Sequence, residues 1–219
     1  MSIIVAIDGP AGAGKSSASK GLAARLGFRH VDTGAMYRVV GVLAHEAGIA
    51  PGDDEALRAL VATIVFDQAG ERVVASGRDL TEAIRAPDAG EWASKFSTRP
   101  VVRERLVAVQ RALGARGDIV MEGRDIGTVV FPDAAVKVFL TADPAERARR
   151  RGSELRALGE TVDEAALTAT IAARDRRDSE RATAPMRPAP DAIVVDTTGV
   201  DLAGVIDRLM ALVAPHLHR

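Results

Sequence analysis

The 219-residue sequence contains no cysteine and no asparagine. Without cysteine there are no disulfides, no thiolate metal sites and no cysteine nucleophile. Without asparagine the Asn-Lys-x-Asp element that reads guanine in GTPases is missing. Aromatic residues make up 3% of the chain, too few for a base-stacking platform of the single-strand-binding kind. Neither sign of charge dominates: 29 Lys and Arg face 30 Asp and Glu, a net charge of −1. That balance gives no electrostatic footprint for a nucleic acid polymer. No apolar run approaches the ~18–20 residues of a membrane-spanning helix. The first residues read as a short strand, not as a basic leader with a cleavable apolar stretch. The expectation is a cytoplasmic protein that engages neither membrane nor polymer.

What is present is an alternation of strand-length apolar runs and helical patterns. Ser2 to Ile7 is continuously apolar, as in a strand buried on both faces. Lys15 to Leu26 reads as a helix stopped by Gly27. Phe28 to Val31 is a second strand, followed by a helix over Thr33 to Ala47 with Met36, Val39, Val40, Leu43 and Ala47 on one stripe. A helix over Pro100 to Ala115 precedes strands at Ile119–Met121, Val136–Leu140 and Ala192–Val195. Asp143-Pro144-Ala145-Glu146 starts another helix, with an acid at the cap and proline at the first position. Thr161-Val162-Asp163-Glu164 reads as a capping box. Leu202 to Val213 is a closing amphipathic helix. Strands separated by helices imply a parallel sheet covered on both faces. From about Ile49 to Ser97 the rhythm breaks. Short β-type pieces (Ile64–Asp67 and Arg72–Ser76) with turn signals at Gly70 and Gly77 suggest an insertion of mixed structure. Ala182 to Pro190 reads as a connecting loop.

Residues Gly9-Pro10-Ala11-Gly12-Ala13-Gly14-Lys15-Ser16 fit Gly-x-x-x-x-Gly-Lys-Ser, between a buried strand and a helix. Glycines let backbone N–H groups turn inward around phosphate oxygens, and the helix N-terminus adds partial positive charge. Lys15 reaches the β- and γ-phosphates, Ser16 is placed for Mg²⁺, and Ser17 continues the loop. This implies an ATP-using protein and leaves the acceptor open. A small kinase also needs a second anion site, with arginines to neutralise the moving phosphoryl group. Arg38, after Asp32-Thr33-Gly34-Ala35-Met36-Tyr37, sits one turn into a helix. Arg124, in Gly123-Arg124-Asp125, follows a strand at the carboxyl edge where open α/β sheets bind ligands. Arg147 and Arg151 lie four apart on one helix, and Arg174, Asp178 and Arg181 read as sharing one helix face at i, i+4 and i+7.

Four blocks together resemble the bacterial cytidylate kinases, in that family's order and spacing: Gly-Pro-Ala-Gly-Ala-Gly-Lys-Ser, Asp-Thr-Gly-Ala-Met-Tyr-Arg, Glu122-Gly-Arg-Asp-Ile-Gly-Thr-Val-Val-Phe-Pro-Asp133 and Arg-Asp-Arg-Arg-Asp-Ser-Glu-Arg. The third block is the most specific. The resemblance implies a P-loop NTPase fold, α/β, with a five-stranded parallel sheet flanked by helices. It also implies a mixed α/β monophosphate-binding insertion and a small helical lid. The implied parts are a core of residues 1–31, 104–150 and 182–219, a monophosphate-binding part of 32–103, and a lid of about 151–181. The implied reaction moves the γ-phosphate of ATP to CMP, and usually to dCMP, with Mg²⁺.

By match of motif, Ser94, Arg103 and Asp125 are expected at cytosine. Arg38, Arg124 and Arg181 are expected at the CMP phosphate, with Thr33 and Tyr37 beside them. Asp178 and Arg174 are expected at the ribose side. Lys15, Arg124, Arg151, Arg174 and Arg181 are the expected transfer cations. Thr33 stands where many members carry serine, and Ser16 where some carry glycine. The resemblance also favours a monomer. The remaining alternatives are a kinase for another monophosphate such as UMP, and a non-catalytic nucleotide-binding regulator. Asp32, Glu122 and Asp125 are all candidates for the acid that orients Mg²⁺. The CMP phosphate is itself an ionised nucleophile, so no general base is needed, and His30, His45, His216 and His218 are read as structural or solvated.

Overall fold

Gly27 adopts a left-handed backbone (φ 69°) and closes the first helix through its N–H, which is where the sequence placed the stop. In the computed structural model the described residues are 2–69, 72–86, 88–157, 159–181 and 183–217. The turn read at Gly70, the start of the loop at Ala182 and His218 lie outside them. In chain order the elements are β1 (Ile4–Asp8), α1 (Lys15–Leu26), β2 (Arg29–Asp32), α2 (Thr33–Glu46), α3 (Asp54–Thr63), β3 (Phe66–Ala69), β4 (Arg72–Ala75) and β5 (Arg78–Asp79). They continue with α4 (Ala89–Phe96), α5 (Pro100–Gly114), β6 (Ile119–Glu122), β7 (Val136–Thr141), α6 (Pro144–Ala157), α7 (Glu164–Glu180), β8 (Ile193–Asp196) and α8 (Leu202–Val213).

The chain divides into two units, Met1–His30 with Gly117–Arg219, and Val31–Arg116. The first holds the core of a five-stranded parallel sheet of order β2-β6-β1-β7-β8. In register, Ile7 lies opposite Glu122 and Asp8 opposite Phe139, so the carboxyl ends of three central strands line up. Every residue of β6 is buried, as expected for a strand covered on both faces. On one face Val5, Ile7, Val120, Val138 and Leu140 pack with Ala18 and Leu22 of α1 and Val205, Leu209 and Val213 of α8. Burying each of these Val, Leu and Ile side chains contributes roughly 1.5–3 kcal/mol. That core makes the strand ends a rigid platform for the loops that follow.

The second unit has its own small antiparallel sheet, β3-β4-β5, and, among the described residues, four α-helices. Gly41 of α2 lets α4 come close: a Cβ there would sit 2.8 Å from the Ala93 backbone nitrogen. His45 of α2 stacks on Trp92 of α4, with ring centroids 4.0 Å apart. The insertion is mixed, as read, but it also contains two helices that sequence reading missed, α3 and α4.

Two further corrections concern α7. Its cap is Asp163, which accepts from the Ala165 and Ala166 amides, and not Thr161. Arg181 lies just beyond its end in extended conformation (ψ 137°) and so leaves the face shared by Arg174 and Asp178. Among the described residues no helix is long and apolar enough to cross a membrane.

Candidate active site

The phosphate loop follows directly from β1. Gly9 (φ 146°) is required there, because a Cβ would lie 2.0 Å from the Leu140 carbonyl oxygen on the neighbouring strand. Gly14 caps α1 in the left-handed region (φ 81°), which leaves the helix N-terminus open toward the loop. Lys15 is buried, and its Nζ donates to the Pro10 carbonyl at 2.6 Å, so the ammonium curls over the loop. The Ala11 peptide is held from both sides. Its N–H donates to Asp175 Oδ1 (3.2 Å), and its carbonyl accepts from Arg147 Nη1 (3.0 Å). Arg147 and Asp175 pair with each other, and Arg147 Nε also bonds the Ala142 carbonyl. Buried Arg147 therefore braces the phosphate loop. Arg151, four residues on, is 43% exposed and pairs with Glu154.

Ser16 Oγ donates to Glu122 Oε2 at 2.8 Å, and His30 Nε2 lies 3.0 Å from the other oxygen. Glu122 is the last residue of β6 and is 2% exposed. Of the three acids left open by the sequence, only Glu122 bonds Ser16 in the first unit. A hydroxyl with a carboxylate behind it is an oxygen donor set that suits Mg²⁺, which keeps most of its shell as water and phosphate. Among the described residues no cluster of three or more His, Cys, Asp or Glu is placed to hold a metal by itself.

The loop after β6 carries the second set of cations. Arg124 Nε donates to Asp178 Oδ2 (3.1 Å), and Arg181 Nη2 lies 3.3 Å from Asp125 Oδ1. Asp125 and Asp178 are both buried. Arg174, one turn before Asp178 on α7, is half-buried. Each acid fixes one edge of its guanidinium. Asp8, the last residue of β1, accepts from the Ile126 and Gly127 amides, each at 2.8 Å. Burial pushes its pKa up to about 6; the two amides and Lys15 oppose that, and Asp125 adds to it.

The first unit also holds a cavity of about 350 Å³, lined by Gly12, Gly14, Ser17, Arg150, Thr197 and Val200 among others. Arg150 ties the loop after β8 to α6 through Thr197 Oγ1 (2.9 Å) and the Thr197 carbonyl (2.6 Å). Glu146 bonds Arg149 and Arg150, and these bonds, Arg149's first, lower its pKa to about 2.

In the second unit Asp32 caps α2 through the Ala35 amide and also holds Arg38 (Oδ2 to Nη2, 3.2 Å), while Arg38 Nε bonds the Gly34 carbonyl. Buried Thr33 opens the helix. Arg103 is 3% exposed; its guanidinium lies 5.8 Å from the Tyr37 ring centroid and reaches the Ser97 carbonyl at 3.5 Å. Ser97 Oγ in turn donates to the Ser94 carbonyl, while the buried Ser94 Oγ has no hydrogen-bond partner among the described residues. A buried hydroxyl left unpaired is costly, and a ligand would relieve it.

The sequence profile of the family described as cytidylate kinase matches residues 5–215. The chain belongs to the cytidylate kinase family. The cytidylate kinase of Geobacter sulfurreducens is 49% identical over 215 residues, covering 96% of this chain and 92% of that one. That of Solibacter usitatus is 46% identical over 213 residues, covering 96% and 92%. A bifunctional pantoate ligase/cytidylate kinase of Synechococcus elongatus is 49% identical, covering 95% of this chain and 41% of that one. Among solved structures, a gluconokinase from Sinorhizobium meliloti superposes with a TM-score of 0.50 at 16% identity, covering 98% of this chain and 93% of that one. At that identity only the fold is shared.

Within this cytidylate kinase fold the structure pairs Arg124 with Asp178 and Arg181 with Asp125 in the first unit, with Arg174 one turn before Asp178 on α7, and it sets Lys15 and Ser16 at the start of α1. In the second it links Arg103 to Tyr37 and, through Ser97, to Ser94, while Arg38 is held by Asp32 and Gly34 on either side of Thr33 in the chain. Sequence reading missed Asp8, Asp175, Arg150 and Thr197. The only available signal was an acid placed immediately before the phosphate loop.

Proposed function

We propose that the chain transfers the γ-phosphate of ATP to CMP, giving CDP and ADP, and that it accepts dCMP as well. The observation that carries this reading is the pair of cation sets in the first unit. Lys15 lies in the phosphate loop after β1, while Arg124 and Arg181 are pre-oriented by Asp178 and Asp125 on the loop after β6. One set suits the donor triphosphate and the other the acceptor phosphate.

In this reading residues 9–17 wrap the ATP phosphates with backbone N–H groups, and Lys15 leaves the Pro10 carbonyl for the β- and γ-oxygens. The adenine takes the cavity beside Thr197 and Val200. Arg38, Arg124 and Arg181 hold the CMP phosphate, with Thr33 and Tyr37 beside it. Arg174 and Asp178 serve the ribose, and Arg174 also serves the transferring phosphoryl group. Arg151 joins it by releasing Glu154. Ser94, Arg103 and Asp125 read cytosine. Its N4 donates to a carboxylate, while O2 and N3 accept from the hydroxyl and the guanidinium. Mg²⁺ arriving with ATP would be held by Ser16 with Glu122 behind it, and would neutralise charge on the β- and γ-phosphates. The second unit acts as the acceptor-binding part, and residues 151–181 act as a lid that excludes water, because water in place of CMP would hydrolyse ATP.

An ADP-release assay with ATP, Mg²⁺ and CMP tests the reading. Turnover is expected with CMP and dCMP. It is expected to fall by on the order of 100-fold or more in Lys15→Ala. Binding of ATP without turnover in the presence of any nucleoside monophosphate would overturn it.

A further inference from the structure

Asp8 closes β1, and the next residue opens the phosphate loop. Its side chain is buried, and each oxygen takes one backbone amide at 2.8 Å, Oδ1 from Ile126 and Oδ2 from Gly127. These two amides open the short π-helical segment Ile126–Val130. Inside that segment the Asp125 carbonyl is used by the Val129 and Val130 amides, and the Ile126 carbonyl by Phe131. The first donors of a helical turn have no partner within it, so they need an acceptor from elsewhere. Here the two donors point at separate oxygens, so a neutral amide in this place puts an acceptor before one of them and a donor before the other, whereas a carboxylate meets both. Gly127 permits the approach: a Cβ there would already sit 3.3 Å from the stem of Lys137 and 3.5 Å from Asp8 Oδ2.

We propose that Asp8 is a positioning residue: its carboxylate pins the loop that carries Arg124 and Asp125 to the strand end that launches the phosphate loop, so that the two anion-handling loops keep a fixed offset. Arg124 and Asp125 immediately precede the pinned amides, so a shift at Ile126 moves both. The inference rests on the reading that this loop handles the acceptor phosphate.

The charge itself supports a geometric role. Asp8 is ionised against its burial, with Asp125 as a like-charged neighbour and Lys15 of α1 as the opposing cation. Lys137 on β7 sends its ammonium to Asp191 and the Pro132 carbonyl. Glu122 on β6 is engaged by Ser16 and His30. A residue needed only to fill this space has no reason to be charged, whereas a two-amide clamp does.

The test is Asp8→Asn in the full chain. Asparagine keeps the shape but offers one acceptor and one donor, so it keeps one amide bond and sets its NH2 against the other amide. The expected result is a kcat for CMP lowered about tenfold or more, with KM for CMP raised, because small misplacements of reacting groups are costly. ATP affinity is expected to stay within about twofold and thermal stability is expected to hold, since removing a buried charge offsets the lost bond. Wild-type kcat and KM in the variant would overturn the proposal. So would equal losses in ATP affinity, stability and turnover, which indicate a structural role. A wild-type protein that does not turn over CMP would instead sink the acceptor reading, and the proposal with it. If the variant does not fold, amide exchange in the wild type decides. The Ile126 and Gly127 amides are expected to lose protection together as pH falls through 6, and unchanged protection there would overturn the clamp.

Discussion

Arg181 and Asp125 form an ion pair at 3.3 Å in which both side chains are only 6% exposed. Removing one partner of a buried pair strands the other charge. Arg181→Ala is therefore expected to destabilise the protein by about 3 kcal/mol, and the double variant with Asp125→Ala is expected to recover most of that. Denaturant unfolding of the single and double variants measures it; equal stabilities for the two would contradict the coupling.

Ser94 has a buried hydroxyl without a hydrogen-bond partner among the described residues. Ser94→Ala removes an unsatisfied group, so the free protein is expected to be as stable as the wild type or slightly more so. If cytosine supplies the missing partner, KM for CMP rises about tenfold, the effect of one lost hydrogen bond of roughly 1.4 kcal/mol. Melting curves and steady-state kinetics together check both halves.

Glu122 stands behind the Ser16 hydroxyl at 2.8 Å. Glu122→Gln keeps the size and removes the charge. The Mg²⁺ concentration needed for half-maximal rate is expected to rise about tenfold, as for other losses of a group that orients a metal's ligand. An unchanged Mg²⁺ dependence would remove Glu122 from that role and return the question to Asp32 and Asp125.

The pKa of Asp8 is raised by burial from 3.8 to about 6. For an acid raised in the folded state, the stabilising contribution belongs to the protonated form. It is fully present below about pH 4 and lost as pH rises through 6, a change of up to about 3 kcal/mol. Asp79 and Glu146 act in the opposite sense, because their pKa values are lowered to about 2 by hydrogen bonds and neighbouring arginines. Their contribution is lost as pH falls below 4. Unfolding free energy measured from pH 4 to 8 is expected to decline more steeply in the wild type than in Asp8→Asn.

The elements legible in the sequence are those whose ends are set locally. Helix α1 begins and ends where Gly14-Lys15 and Gly27 place it, and α8 runs from Leu202 to Val213 as its pattern indicates. Helices α3 and α4 were not legible. Each is short, and α4 packs through Gly41 and Trp92, which are contacts that no local period announces. The capping box failed because Asp163 offers the stronger acceptor two residues later. In the site, motif spacing singled out Lys15, Arg124 and Asp125 as candidates, and the structure shows each of them buried or engaged in a polar contact. The partners that orient them were not legible: Asp8 meets residues more than a hundred positions away, and Asp175 reaches back to Ala11.

The central claim is that the acceptor is read as cytosine, and the most direct measurement is kcat/KM for CMP against UMP under one set of conditions. If Asp125 meets the exocyclic amine of cytosine, as proposed, uracil would set its O4 against that carboxylate unpaired. The account predicts a preference for CMP of on the order of 100-fold or more. Comparable values for the two nucleotides would contradict it.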